Sequence, residues 1–124
     1  MSTRIAFPTE DGETISRHFG QAPYFKIITI VDGRVGDSEL REKASHQHGE
    51  HDHADGMHPG QKMVDSISDC QVLISGGMGT PAVERASAKG LQVFLTRRTS
   101  IAEAAQAFLD GTLEHEPKLI HQHH

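Results

Sequence analysis

Two short apolar runs, CQVLIS at 70–75 and LQVFL at 91–95, most constrain the fold of this chain. Both have the length and branching of buried strands. Between them lie Gly76-Gly77-Met78-Gly79 and then Thr80 to Lys89, which reads as a helix with Pro81 in its first turn and Gly90 as its C-terminal cap. Strand, glycine turn, helix, strand is a crossover unit. Its right-handed form brings the C-terminal ends of both strands to one side of a sheet.

The first half of the chain adds antiparallel strands. Arg4 to Pro8 (RIAFP) reads as a strand and Thr9-Glu10-Asp11-Gly12 as a turn. An irregular stretch, ISRHFGQAPYF, leads to the β-branched run Tyr24 to Val31. Asp32-Gly33 is a hairpin turn, with Arg34 to Arg41 as the more polar partner near a sheet edge. Met63, Val64 and Ile67 fall at helical spacing within Gly60 to Ser68. Ser100 caps a last helix, Ile101 to Leu109, with Glu103 at the capping-box position and Gly111 ending it. The expected class is α/β, a mixed five-stranded sheet flanked by helices. The expected organisation is one domain over residues 1–124, with a flexible His-rich loop at about 43–59 and a polar tail from about 112.

Charge and cysteine content narrow the function. The net charge of −5 with neutral histidines argues against a general nucleic-acid or membrane surface. Cys70 is the lone cysteine, so one chain can form neither an internal disulfide nor a Cys₄ iron–sulfur or zinc site. MSTRIAFPTEDG has no apolar signal region and no run reaches membrane-span length. The expectation is a soluble cytoplasmic protein, a monomer or weak dimer.

Four places carry chemistry. In SRHFGQAPYF, His18 stands between Arg17 and Phe19 in a loop before a strand. A framed imidazole there can ligate a metal and Arg17 can offset anionic charge; the bland alternative is an idle surface histidine. In SGGMGTPAVE, the backbone N–H groups of Gly76, Gly77 and Gly79 at a helix start suit an anion, although the glycines could simply permit a tight turn. Gly77 or Gly79 is expected to need a backbone conformation, or a close approach, that a β-carbon would oppose. Met78 is either a core plug or a thioether at the pocket mouth. Arg97-Arg98 follows a strand end close to where the glycine loop should lie, facing an anion or solvent.

The fourth place is HQHGEHDHADGMH. Its histidines, His46, His48, His51, His53 and His58, follow no HExxH or paired helical spacing. Such a segment can chelate Ni²⁺, Zn²⁺ or Cu²⁺ as a flexible tag does. With only Ala54 and Met57 as apolar side chains it has little to bury, so a mobile loop secondary to the main site is expected. His121, His123 and His124 close the tail and stand outside the fold argument.

In order, RIAFPTEDGETIS, RHFGQAPYF, VDGRV, the His-rich insert, DCQVLISGGMGTPAVERASAKGLQVFL and TSIAEAAQAFLDGTL span nearly the whole chain. With HFG-x-AP-x-F combined with GGMG, the chain resembles the dinitrogenase iron–molybdenum cofactor biosynthesis family, the NifX and NifB-C-terminal type of domain. The resemblance implies a ribonuclease-H-like fold and a non-catalytic role. That role is to bind or carry, transiently, an iron–sulfur or iron–molybdenum–sulfur type cluster or its precursor, between cluster donor and acceptor proteins. It implies His18 as the ligand, with Gly76, Gly77, Met78 and Gly79 as the matching loop. A cluster that arrives preassembled is a bulky anion needing few protein ligands, in keeping with a carrier poor in cysteine. Two rivals stand beside this reading. A nuclease would need a carboxylate on the first strand, and RIAFP has none. A divalent metal buffer would use the His-rich loop and would carry nickel, zinc or copper instead of iron, sulfide or molybdenum.

Overall fold

The computed structural model describes residues 2–42 and 64–121. The candidate ligands His46, His48, His51, His53 and His58, and the expected mobile loop that holds them, lie outside the described residues.

The strands are β1 (Ser2–Thr9), β2 (Tyr24–Val31), β3 (Arg34–Glu42), β4 (Val72–Ser75), β5 (Met78–Gly79), β6 (Gln92–Leu95) and β7 (Ile120–His121). The helices are α1 (Thr80–Ala88) and α2 (Ile101–Asp110). Five strands form the expected mixed sheet, in the order β3-β2-β1-β4-β6. β2 is antiparallel to β1 and β3, whereas β4 is parallel to β1 and β6.

Local chemistry explains the elements. Asp32 at φ 53° and Gly33 at φ 77° place both turn residues in the left-handed region, the geometry that matches strand twist in a two-residue hairpin. The β2–β3 register shifts between Ile28 and Ile30, and β3 lies almost wholly in solvent. Ser100 Oγ accepts from the Glu103 N–H at the start of α2, and Gly111 at φ 76° ends it. β1 is longer than RIAFP suggests: Ser2 and Thr3 pair with Val31 and Ile30, although neither is apolar.

Alternation along the strands divides the core into two layers. Ala6, Phe25, Ile27 and Leu73 face α1 through Ala82 and Ala86, together with Val64 and Ile67 of the crossover. Ile5, Phe7, Ile28, Ile30, Val72 and Ile74 face α2 through Ile101, Ala104 and Ala105. Of the stretch expected to be helical at 60–68, Val64 and Asp65 have helical backbone and a turn follows to Asp69. Among the described residues no helix is long and apolar enough to cross a membrane.

Arginines fasten the crossover. Asp65 receives Arg85 Nε and Nη2, each at 2.9 Å, and Asp69 receives Arg41 at 2.9 and 3.2 Å and Arg4 at 2.8 Å. Hydrogen bonds from Arg85 and Arg41 hold these two carboxyls below their ordinary range. They therefore bind fewer protons in the folded chain than in the unfolded one. Their stabilisation is complete above about pH 4 and is lost as pH falls through the folded values. Both carboxylates are partly exposed, so the loss between pH 6 and pH 3 should be roughly 1 kcal/mol in urea unfolding. Asp65→Asn with Asp69→Asn should flatten that part of the profile; an unchanged slope would show that these pairs are not its source.

Candidate functional site

β1, β4 and β6 run parallel and end together at Thr9, Ser75 and Leu95. From β1 the chain proceeds to β2 and β3 on one side, while β4 leads to β6 on the other. Between β1 and β4 the winding reverses, and in open α/β sheets ligands settle in the crevice beyond such strand ends. Here that crevice is walled by the loops 10–23, 76–79 and 96–100.

The first loop is built to display two residues. The Asp11 carboxylate accepts from the Glu13 and Thr14 N–H groups at 2.9 and 2.8 Å, which hold its pKa at about 2. The Ile15 N–H donates to Thr99 O at 2.7 Å and the Ser16 N–H to Pro8 O at 2.8 Å. Phe19 is buried to 1% exposure, its ring 5.6 Å from that of Phe25. Between these anchors Arg17 and His18 remain exposed. The His18 backbone is fixed: its N–H donates to Ser16 Oγ at 3.1 Å and its carbonyl accepts from Gln21 and Ala22.

The glycine loop is clasped directly to it. The Gly76 N–H donates to Ser16 O at 3.0 Å, and the Phe19 N–H donates to Gly77 O at 3.1 Å. A β-carbon on Gly76 would lie 2.8 Å from Ser16 O and 3.1 Å from Arg17 Cα. A close approach of the kind expected at Gly77 or Gly79 is thus found at Gly76. Gly79 sits at φ −77° and ψ 158°, a conformation open to any residue. The Gly77 N–H donates to the buried Ser75 Oγ at 3.3 Å. The amides of Gly76 and Gly77 are thus turned to protein acceptors. Met78 is 1% exposed and its side chain belongs to the core.

Charge in the crevice comes from guanidinium groups. Arg17, Arg97 and Arg98 line a cleft of about 200 Å³ together with Gly76, Thr96 and Leu119. Next to it, Arg17 and His18 line a shallower hollow with Glu10, Asp11 and Thr14. The parallel pairing of β4 and β6 thus brings Arg97-Arg98 to the glycine loop, as expected. Cys70 is elsewhere: it precedes β4 at the opposite end from Ser75, and burial and the Asp69 charge push its thiol up to about 12. Among the described residues no three or more His, Cys, Asp or Glu side chains gather to hold a bare metal ion.

One part of the site has no counterpart in the sequence reading. The segment expected to be a polar tail packs along the cleft. The Glu116 N–H donates to Leu95 O at 2.7 Å, and His115 Nδ1 accepts from the Leu95 N–H at 3.1 Å. Leu119 and Ile120 pack against the core, and β7 pairs with β5. The available signal was LEHEPKLI, with apolar residues on either side of Pro117.

Comparison with known proteins agrees with this layout. An uncharacterized protein of Methanocaldococcus jannaschii is 30% identical over 114 residues, 90% of this chain and 89% of that protein. The crystal structure of PH0822 superimposes with a TM-score of 0.75 over 94% of this chain and 99% of that one, at 23% identity. A Thermotoga protein described provisionally as NifB, solved by NMR, gives a TM-score of 0.64 at 28% identity over 91% and 92% of the two chains. Residues 1–111 match the family described as "Dinitrogenase iron-molybdenum cofactor". This chain belongs to that family.

Proposed function

We propose that the chain binds and carries, without catalysis, an iron–sulfur or iron–molybdenum–sulfur type cluster or its precursor, received from one protein and passed to another. The observation that carries this reading is the clasp at the reversal point of the sheet. It fixes the backbone around His18 and sets the imidazole beside a cleft lined by three arginines. His18 is the one ligand in this reading, the arginines balance the negative charge of the sulfide-rich cargo, and Gly76 shapes the wall. A preassembled cluster needs no more, whereas assembly from bare ions would need a cysteine-rich shell. We read the strand order as a ribonuclease-H-like arrangement; β1 (STRIAFPT) has no carboxylate to hold the metal ions of a nuclease.

The test is anaerobic titration of the protein with a preformed iron–molybdenum–sulfur cluster, followed by absorption. His18→Ala should weaken binding at least about tenfold and alter the spectrum, the scale on which metal sites respond to loss of a supporting group. Equal affinity and an identical spectrum would remove His18 from the site.

A further inference from the structure

We infer that the C-terminal segment 112–121 is an acidic strap that occupies the arginine seat of the cleft and competes with an anionic cargo for it. This deepens the proposed function and rests on it. Glu116 Oε1 accepts from Arg97 Nε at 2.9 Å, and Glu114 Oε2 accepts from Arg98 Nη2 at 3.5 Å. Two of the cleft's three guanidiniums thus face carboxylates of the chain itself.

The strap is held by its backbone and not by these charges. The Glu116 N–H bond to Leu95 O, the His115 bond to the Leu95 N–H and the β5–β7 pairing fix its course along the strand end. Leu119 brings it to the cleft wall. The carboxylates can therefore leave the arginines by side-chain rotation while the segment stays in place.

The seat is incompletely satisfied as it stands. Among the described residues Arg98 Nε is buried without a hydrogen-bond partner, although the same guanidinium contacts Glu114 through Nη2. A buried donor of a charged group calls for an acceptor. Both ion pairs are substantially exposed, with side-chain exposures of 65% and 32% for Arg97 and Glu116, and 34% and 59% for Arg98 and Glu114. Pairs of this kind are weak. A multiply charged anion reaching Arg17, Arg97 and Arg98 together would outcompete two separate carboxylates. The ligand class is a compact polyanion, and the strap sets how tightly it must bind to enter.

The experiment uses the full chain and two probes, inorganic sulfate and the preformed iron–molybdenum–sulfur cluster. Sulfate is followed by NMR on the arginine Nε–H signals. Glu114→Gln with Glu116→Gln should tighten sulfate binding about three- to tenfold, the combined scale of two exposed ion pairs, and should speed cluster uptake. Arg97→Gln with Arg98→Gln should weaken both. Single Glu114→Gln and Glu116→Gln variants, each folding with a wild-type melting curve, give intermediate values if both carboxylates compete. Unchanged or weaker sulfate binding in the double glutamine variant would overturn the strap's role. Tighter sulfate binding with no cluster uptake by any form would uphold the strap and overturn the cluster reading alone.

Discussion

Replacing Gly76 with alanine should lower stability by about 2–3 kcal/mol and detach the HFG loop from the glycine loop. The added methyl would meet Ser16 O at 2.8 Å and Arg17 Cα at 3.1 Å, both backbone atoms. No rotamer change relieves a clash with backbone, so the loops themselves must separate. Separation breaks the Gly76 N–H bond to Ser16 O and strains that from Phe19 to Gly77 O. The site should therefore fail along with the clasp. Urea unfolding reports the first effect and anaerobic cluster titration the second. A wild-type urea midpoint would mean that the approach is looser than the geometry says.

Phe19→Ala should have a larger effect on stability, about 3–5 kcal/mol. The ring is fully enclosed among Phe25, Met78 and their neighbours, and its removal leaves a cavity in the layer beneath α1. Phe19 is also the anchor that keeps its neighbour His18 at the surface. The variant should show faster amide exchange across 16–22 even at temperatures where the sheet remains intact. Phe19→Leu should recover most of the stability. If the alanine variant instead melts like the wild type, the loop is held by its hydrogen bonds and not by the ring.

These two residues show what could be read from the sequence. The run YFKIITIV, the Asp-Gly turn, the Ser100 cap and the glycine after α2 are local signals, and each produces its element where expected. The placement of Arg97-Arg98 beside the glycine loop follows from the parallel pairing of the two strands that the crossover joins. The special demand on Gly76 is not legible in the sequence because its cause lies some sixty positions away, in the carbonyl of Ser16. A close approach between distant segments leaves no trace in local composition. The C-terminal segment reads as a solvated tail for a related reason. Its strand is two residues long and exists only because β5 offers a partner, so its polar composition outweighed Leu119 and Ile120.

The outermost strand has a consequence for the behaviour of the protein at high concentration. Among the described residues β3 pairs along one side only, with β2, and Val35 and Leu40 are each about half exposed on it. An open edge with apolar side chains is a template for edge-to-edge pairing between molecules, the first step to fibrils. Here the register shift opposite Ile28 and Ile30 bends that ladder, so an incoming straight strand cannot follow it along its length. Arg34, Asp37, Glu39, Arg41 and Glu42 place charges of both signs along the same edge, and an added strand would have to align with them. The bend and the charges together guard this exposed strand against pairing with another molecule.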